Sequence, residues 1–307
     1  MKVIRFLIPI YLISEDSEKY IITEKSFKYY LYLKDFFKDE IKIEFTIVGS
    51  ERKLSKNLVS KYFNNNDSYL EYDQGDINYF NRVNFETLNT VVGKKIKAGY
   101  DICKKHNPDF IIFIKSNHFI CSEWLRFIIN DTDEDKFYGF SVLSNVFIMT
   151  TLTDNNKIDH NDKYIFDNRK HPPVNLIDAC LIAIPKKVYN IYEMGTYNLT
   201  EHSIANEIIN LGYTPALTSQ FYIFNIKSKN ELTNVMPFSY IKDKNSQQNE
   251  FKRGMIENYE LLDSQNCDLH IFTTPENYNK INSVIFSSDE YNFLIKLNKI
   301  FKLIDSL

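Results

Sequence analysis

Hydrophobic positions along the chain fall into short unbroken runs, separated by longer stretches in which apolar residues return every three or four places. Short apolar runs rich in β-branched and aromatic side chains predict strands buried on both faces, whereas the three-to-four spacing predicts amphipathic helices. The first run, Val3 to Ile10, predicts a strand closed by Pro9, since proline is confined to strand edges and ends. Tyr20, Phe27, Tyr30, Leu31, Leu33 and Phe36 then recur at helical spacing across 19–37. A strand over 41–48, a helix over 54–63 and a short strand over 69–72 follow. This β-α-β-α-β alternation is the pattern of a mainly parallel sheet covered by helices.

After a polar stretch at 73–78, a helix is predicted over 88–104, with Val91, Val92, Ile96, Tyr100 and Cys103 on or near one face. Its lysines, Lys94, Lys95, Lys97, Lys104 and Lys105, fall mostly off that face and read as a solvated surface. Asn107-Pro108 ends the helix, because proline disfavours helical geometry in the residue before it. Phe110 to Ile114 then predicts a central strand. It stops at Lys115-Ser116-Asn117-His118, four polar residues at its carboxyl end, where open α/β sheets place their ligands.

Downstream, the pattern predicts one or two strands within 137–151, a long polar loop over 154–173 and a strand over 179–184. A helix opening at Pro185, a helix over 200–211 stopped by Gly212, and a strand over 216–226 come next. Beyond a polar stretch, a strand over 269–273 and an amphipathic helix over 289–307 are expected. The helix carries Tyr291, Leu294, Leu297, Ile300, Phe301 and Ile304 along one side, a face either packed on the domain or offered to a protein partner. The expected division is a domain at 1–226 and a C-terminal extension at 227–307.

Composition changes this picture little. A net charge of −3, from 37 Lys+Arg against 40 Asp+Glu, supplies no global attraction for a nucleic-acid backbone. Cys103, Cys121, Cys180 and Cys267 are scattered without Cys-X-X-Cys or zinc-ligand spacing, which fits a reducing, cytoplasmic setting. The apolar N-terminal run contains Arg5 and Pro9 and is too short to span a bilayer, so neither a transmembrane segment nor a targeting signal is expected there. His160 and His171 flank the polar loop at a spacing that matches no metal-ligand pattern.

Five local segments, in order across about residues 1–225, resemble the GT-A nucleotide-sugar glycosyltransferases of the family 2 kind. They are Ile4 to Tyr11 with its Pro9, and Phe45 to Glu51 with its acidic turn. They continue with Gly93 to Gly99, then Phe113 to His118 followed by Trp124-Leu125, and finally Glu201 to Glu207 followed by Leu211-Gly212-Tyr213. The resemblance implies a GT-A-like, Rossmann-like α/β domain that binds a nucleotide-diphosphate sugar and passes its sugar to a glycan or other hydroxyl acceptor, with inversion. It implies donor contacts from Pro9, Tyr11, Glu51, Asp73, Lys94, Lys115, Ser116, Asn117 and His118, and a catalytic base at Glu201, with Asp178 and Glu207 as rivals.

The sequence departs from the family at the Asp-X-Asp motif, whose two carboxylates hold Mn²⁺ or Mg²⁺ on the leaving diphosphate. Lys115 and Asn117 stand at those positions, so the hard oxygen ligands are missing. Three readings follow. Lys115 supplies a fixed positive charge in place of the metal; or Asn117 and His118 recruit a softer metal with help from elsewhere; or the site is silent and the chain serves as a binding or assembly module. A nucleotidyltransferase would need a phosphate-binding glycine-rich loop near the N-terminus, and 3–17 contains no glycine.

Overall fold

The computed structural model describes residues 1–12, 14–50, 53–64, 67–72, 85–131, 135–141, 146–167, 177–195, 203–217, 222–226, 271–273 and 288–307. The first sheet is built from β1 (Lys2–Pro9), β2 (Ile41–Ser50), β3 (Ser68–Tyr72), β4 (Phe110–Ile114), β6 (Lys136–Ser141), β9 (Ile177–Pro185) and β10 (Thr214–Leu217). The second holds β5 (His118–Ile120), β7 (Val146–Leu152), β8 (Ile158–Asp167), β11 (Tyr222–Ile226) and β12 (Ile271–Thr273). The helices are α1 (Glu18–Phe36), α2 (Lys53–Tyr62), α3 (Phe85–Lys105), α4 (Ser122–Asn130), α5 (Lys186–Ile191), α6 (Ser203–Asn210) and α7 (Ser288–Ser306).

The first sheet runs β10-β6-β9-β4-β1-β2-β3. Its β1, β2, β3 and β4 are parallel, and β9 runs against both β4 and β6. As the five-residue apolar run predicts, β4 is fully buried in the middle of this sheet. Ser17 caps α1 by accepting the Tyr20 N–H, which satisfies one of the helix's orphan donors. Helix α3 lies on β1 and β2, and Gly99 allows the approach: a Cβ there would run into Val48 and Leu7. Leu7, Val48, Ile96, Tyr100, Cys103, Ile111 and Ile182 share one core beneath it.

One charged pair interrupts this apolar interior. Arg5 of β1 is fully buried and stands opposite Glu44 in the parallel register, where the two form an ion pair. The guanidinium also donates to the Phe45 carbonyl and to Thr46 Oγ1, each at 3.1 Å, and Lys42 reaches the other Glu44 oxygen at 2.7 Å. Burial alone would raise the Glu44 carboxyl pKa; Lys42 and Arg5 together hold it below the ordinary value.

The second sheet runs β12-β8-β7-β11-β5. Within the polar stretch expected to be a loop, 158–167 form β8, paired antiparallel with β7 from Asp167 opposite Val146 to Ile158 opposite Leu152; 154–157 are a turn, and 168–173 lie outside the described residues. The apolar residues of β8, Ile158 and Tyr164 to Phe166, are separated by five polar ones, and the neighbouring strand supplies the ladder. The strand expected over 216–226 is two strands, β10 in the first sheet and β11 in the second. Leu297, Phe301 and Ile304 of α7 are buried, with the Phe301 ring 5.1 Å from that of Phe224, and Asp305 accepts the Ile158 N–H at 2.7 Å. These three residues of the apolar face are thus packed within the unit.

Each sheet anchors a compact unit. One comprises Met1–Ser116, Ser122–Ser141 and Asn175–Thr218; the other comprises Asn117–Cys121, Val142–Val174 and Ser219–Leu307. Among the described residues, no helix is long and apolar enough to cross a membrane.

Candidate functional site

Strand order locates the candidate site. From β1 the chain passes to β2 and β3 on one side and then returns to β4 on the other, so the carboxyl ends of β1 and β4 flank a topological switch point. It is at such points that open α/β sheets place their ligands. Pro9, Ile10 and Tyr11 close β1, and Lys115 and Ser116 close β4.

Helix α1 ties down the β4 side. Thr23 Oγ1 donates to Ser116 Oγ at 3.2 Å, and the Tyr30 hydroxyl donates to the Lys115 carbonyl at 3.3 Å. Thr23, Tyr30 and Ser116 are buried, and burial pushes the Tyr30 hydroxyl pKa well up, so it stays a neutral donor. The Lys115 backbone is thus pinned while its side chain stays half-buried.

On the β1 side the group that matters is one the sequence pattern assigned to solvent. Lys95 is only 3% exposed, and its ammonium donates to the Ile10 carbonyl at 2.6 Å. Lys19 of α1, at the surface, holds its own ammonium 5.5 Å from the centre of the Tyr11 ring. Burial first, and then the charge of Lys19, lower the Lys95 pKa from 10.5 to about 7. The signal for Lys95 was present in the spacing: three residues after Val92 and four before Gly99, it falls on the face of α3 that packs on the sheet.

The other expected residues divide. Asp178 lies near the start of β9, which runs antiparallel to β4, so its backbone stands at the same end of the sheet as the β4 carboxyl end. Lys94 is exposed on α3. Asn117 and His118 belong to the second unit. His118 is not in an open loop: it is 2% exposed and begins β5, opposite Asn225, while Asn117 Nδ2 donates to Asn225 Oδ1 at 2.8 Å. The polar run Lys115 to His118 is where the chain passes from one sheet to the other. Glu207 accepts from the Tyr192 hydroxyl at 2.6 Å. Glu51, Asp73, Glu201 and His171 lie outside the described residues, as does the side chain of His160.

Lys115 and Asn117 offer no carboxylate at the two positions where the resemblance would put the ligands of a divalent metal. Among the described residues, no group of three His, Cys, Asp or Glu side chains is placed to hold a metal ion.

By strand order and helix placement, the first unit is a mainly parallel α/β sheet flanked by helices. No family model and no curated protein matches the chain. Solved structures to which it is similar include 4-diphosphocytidyl-2C-methyl-D-erythritol synthase from Anaerococcus prevotii, at 12% identity and TM-score 0.38, covering 74% of this chain and 89% of that one. Mouse xyloside xylosyltransferase 1 is similar at 10% identity and TM-score 0.35, over 71% of this chain and 79% of its own. The galactosyltransferase LgtC, in complex with donor and acceptor sugar analogues, is similar at 7% identity and TM-score 0.32, over 81% of each chain. Likeness at this level says nothing of an activity.

Proposed function

We propose that the protein is a glycosyltransferase that moves a sugar from a nucleotide-diphosphate sugar to a hydroxyl acceptor without a divalent metal. The observation that supports this reading is the placement of Lys115, a half-buried cation with a pinned backbone, at the carboxyl end of the central parallel strand and beside the switch point. Positive charge held there meets the charge that develops on a departing diphosphate, the role a metal plays elsewhere.

In this reading Pro9, Tyr11, Lys115 and Ser116 border the donor. The bond from the anomeric carbon to the phosphate oxygen breaks, and its electron pair stays with the nucleoside diphosphate. The acceptor oxygen forms the new bond from the opposite face, and its proton passes to a carboxylate, for which Glu201 is the proposed base and Asp178 the alternative. Glu51 and Asp73 are the proposed contacts to the nucleotide's base or ribose.

The test is thermal stabilisation by a panel of nucleotide sugars and nucleoside diphosphates, with Mn²⁺ and with chelator, on wild type and Lys115→Ala. A ligand that binds the folded state raises its melting temperature by mass action. A shift with one nucleotide that survives chelation and is lost in Lys115→Ala is expected. A folded protein that no nucleotide stabilises would refute the transferase and leave a silent binding module.

A further inference from the structure

Away from the switch point, towards the amino ends of the same parallel strands, polar side chains from three strands and the end of a helix meet. Ser68 opens β3, the strand at the edge of the first sheet, and stands opposite Thr46 of β2. His106 directly follows α3, and its Nε2 lies 3.0 Å from Ser68 Oγ. The guanidinium of Arg5, itself fully buried, lies 3.5 Å from the same oxygen through Nη1, and Glu44 balances its charge. A guanidinium can only donate, so the hydroxyl's own hydrogen is left to point at the imidazole nitrogen. Partial burial first, and then the Arg5 charge, hold the His106 pKa below its ordinary value against a smaller upward pull from Glu44. The ring is therefore neutral at pH 7 and its nitrogen accepts. Ser68 is half-buried and His106 exposed, which leaves the hydroxyl within reach of a solute. A buried ion pair is a weak stabilising device, whereas a serine hydroxyl set between a cation and a neutral imidazole is arranged for proton transfer.

We infer that Ser68 is a nucleophile and His106 its general base, forming a second catalytic site that takes an acyl group from a carboxylic ester. Ser68 Oγ attacks the carbonyl carbon as its proton passes to His106 Nε2. The tetrahedral adduct collapses by breaking the bond to the ester's alcohol oxygen, which leaves with that proton. Water, deprotonated by the same imidazole, then attacks the acyl group; the carboxylic acid departs and the proton returns to Ser68. The Arg5 charge favours the alkoxide character that Ser68 Oγ takes on as its proton leaves. This site does not depend on the nucleotide-sugar reading, since it shares no residue with the crevice between β1 and β4.

The probes are 4-nitrophenyl acetate, for release of nitrophenolate, and a fluorophosphonate, for covalent labelling located by peptide mass spectrometry, each applied to the full chain. Wild type is expected to release nitrophenolate and to carry the label on Ser68. Ser68→Ala is expected to abolish both signals, and His106→Gln to slow both by about a hundredfold or more. Ser60→Ala, at an exposed serine of α2, is expected to leave them unchanged. Mapping the label on wild type needs no variant and stays decisive should Ser68→Ala fail to fold. A folded wild type that takes no label would overturn the inference, as would a label on another residue, His106 included. Labelling of Ser68 at the wild-type rate in His106→Gln would also overturn it, leaving the pair a structural tie between α3 and β3.

Discussion

Replacing Lys95 by methionine is expected to make the protein more stable at neutral pH, a counterintuitive outcome for the loss of a 2.6 Å hydrogen bond. The ammonium's pKa falls from the ordinary 10.5 to about 7 in the folded state. At about 1.4 kcal/mol for each of those roughly 3.5 pH steps, the charged form costs the fold about 5 kcal/mol. Between pH 7 and 10.5 the unfolded chain binds the proton and the folded chain does not. Wild-type stability therefore rises with pH through that window, and the penalty is fully present below pH 7. Methionine removes the charge but leaves the Ile10 carbonyl short of a donor, a loss of about 1–3 kcal/mol. A net gain of about 2–4 kcal/mol near pH 6–7 follows. The assay is urea unfolding followed through the fluorescence of Trp124, the single tryptophan, which is buried in α4. The gap between wild type and Lys95→Met should narrow by about 3 kcal/mol from pH 7 to 9.5, since only wild type has the titrating group. A gap that stays constant over that range would refute the reasoning.

Three further outcomes are expected. Glu44→Gln strips the carboxylate from buried Arg5 and should cost about 3 kcal/mol, because a desolvated guanidinium loses its counter-charge; equal unfolding midpoints would remove the ion pair from the account of stability. Gly99→Ala places a methyl group into Val48 and Leu7 where α3 rests on the sheet, and should cost about 1–3 kcal/mol despite alanine's better helix propensity. An unchanged or raised melting temperature would show that the helix yields. Burial pushes the hydroxyls of Tyr69 and Tyr189 up to about 12, above their unfolded value of 10. Their contribution is fully present below pH 10 and is lost as pH rises towards 12, which titration of phenolate absorbance alongside unfolding will track; ionisation of every tyrosine near pH 10 in the folded protein would contradict it.

Most of the first unit was legible in the chain itself. Continuous apolar runs can satisfy their surroundings only as strands buried on both faces, so β1, β2 and β4 appear in the sequence with nearly their observed limits. The helical spacing of α1, α3 and α7 follows from the same one-dimensional signal. The parallel pairing of β1, β2 and β3 was also foreseeable, because β-α-β alternation dictates it.

Pairing partners were not legible, because they are decided by residues far away. Asp159 to Lys163 carry no strand signal and Tyr164 to Phe166 only a short one; β7 makes the whole segment a strand by offering a ladder. The break between β10 and β11 is invisible in a run of similar residues and exists because two different sheets claim them. The charges follow the same rule. Sequence showed Arg5 in an apolar run and Lys95 among other lysines, whereas only the register of β1 on β2 and the contact of α3 with the end of β1 put a carboxylate opposite the first and a backbone carbonyl and a second ammonium beside the other. Hydrophobic periodicity is a local property and determined the elements. Electrostatic environment is a sum over neighbours brought together by folding: spacing could put Lys95 on the packed face of α3, but only the structure decided which groups its ammonium meets there.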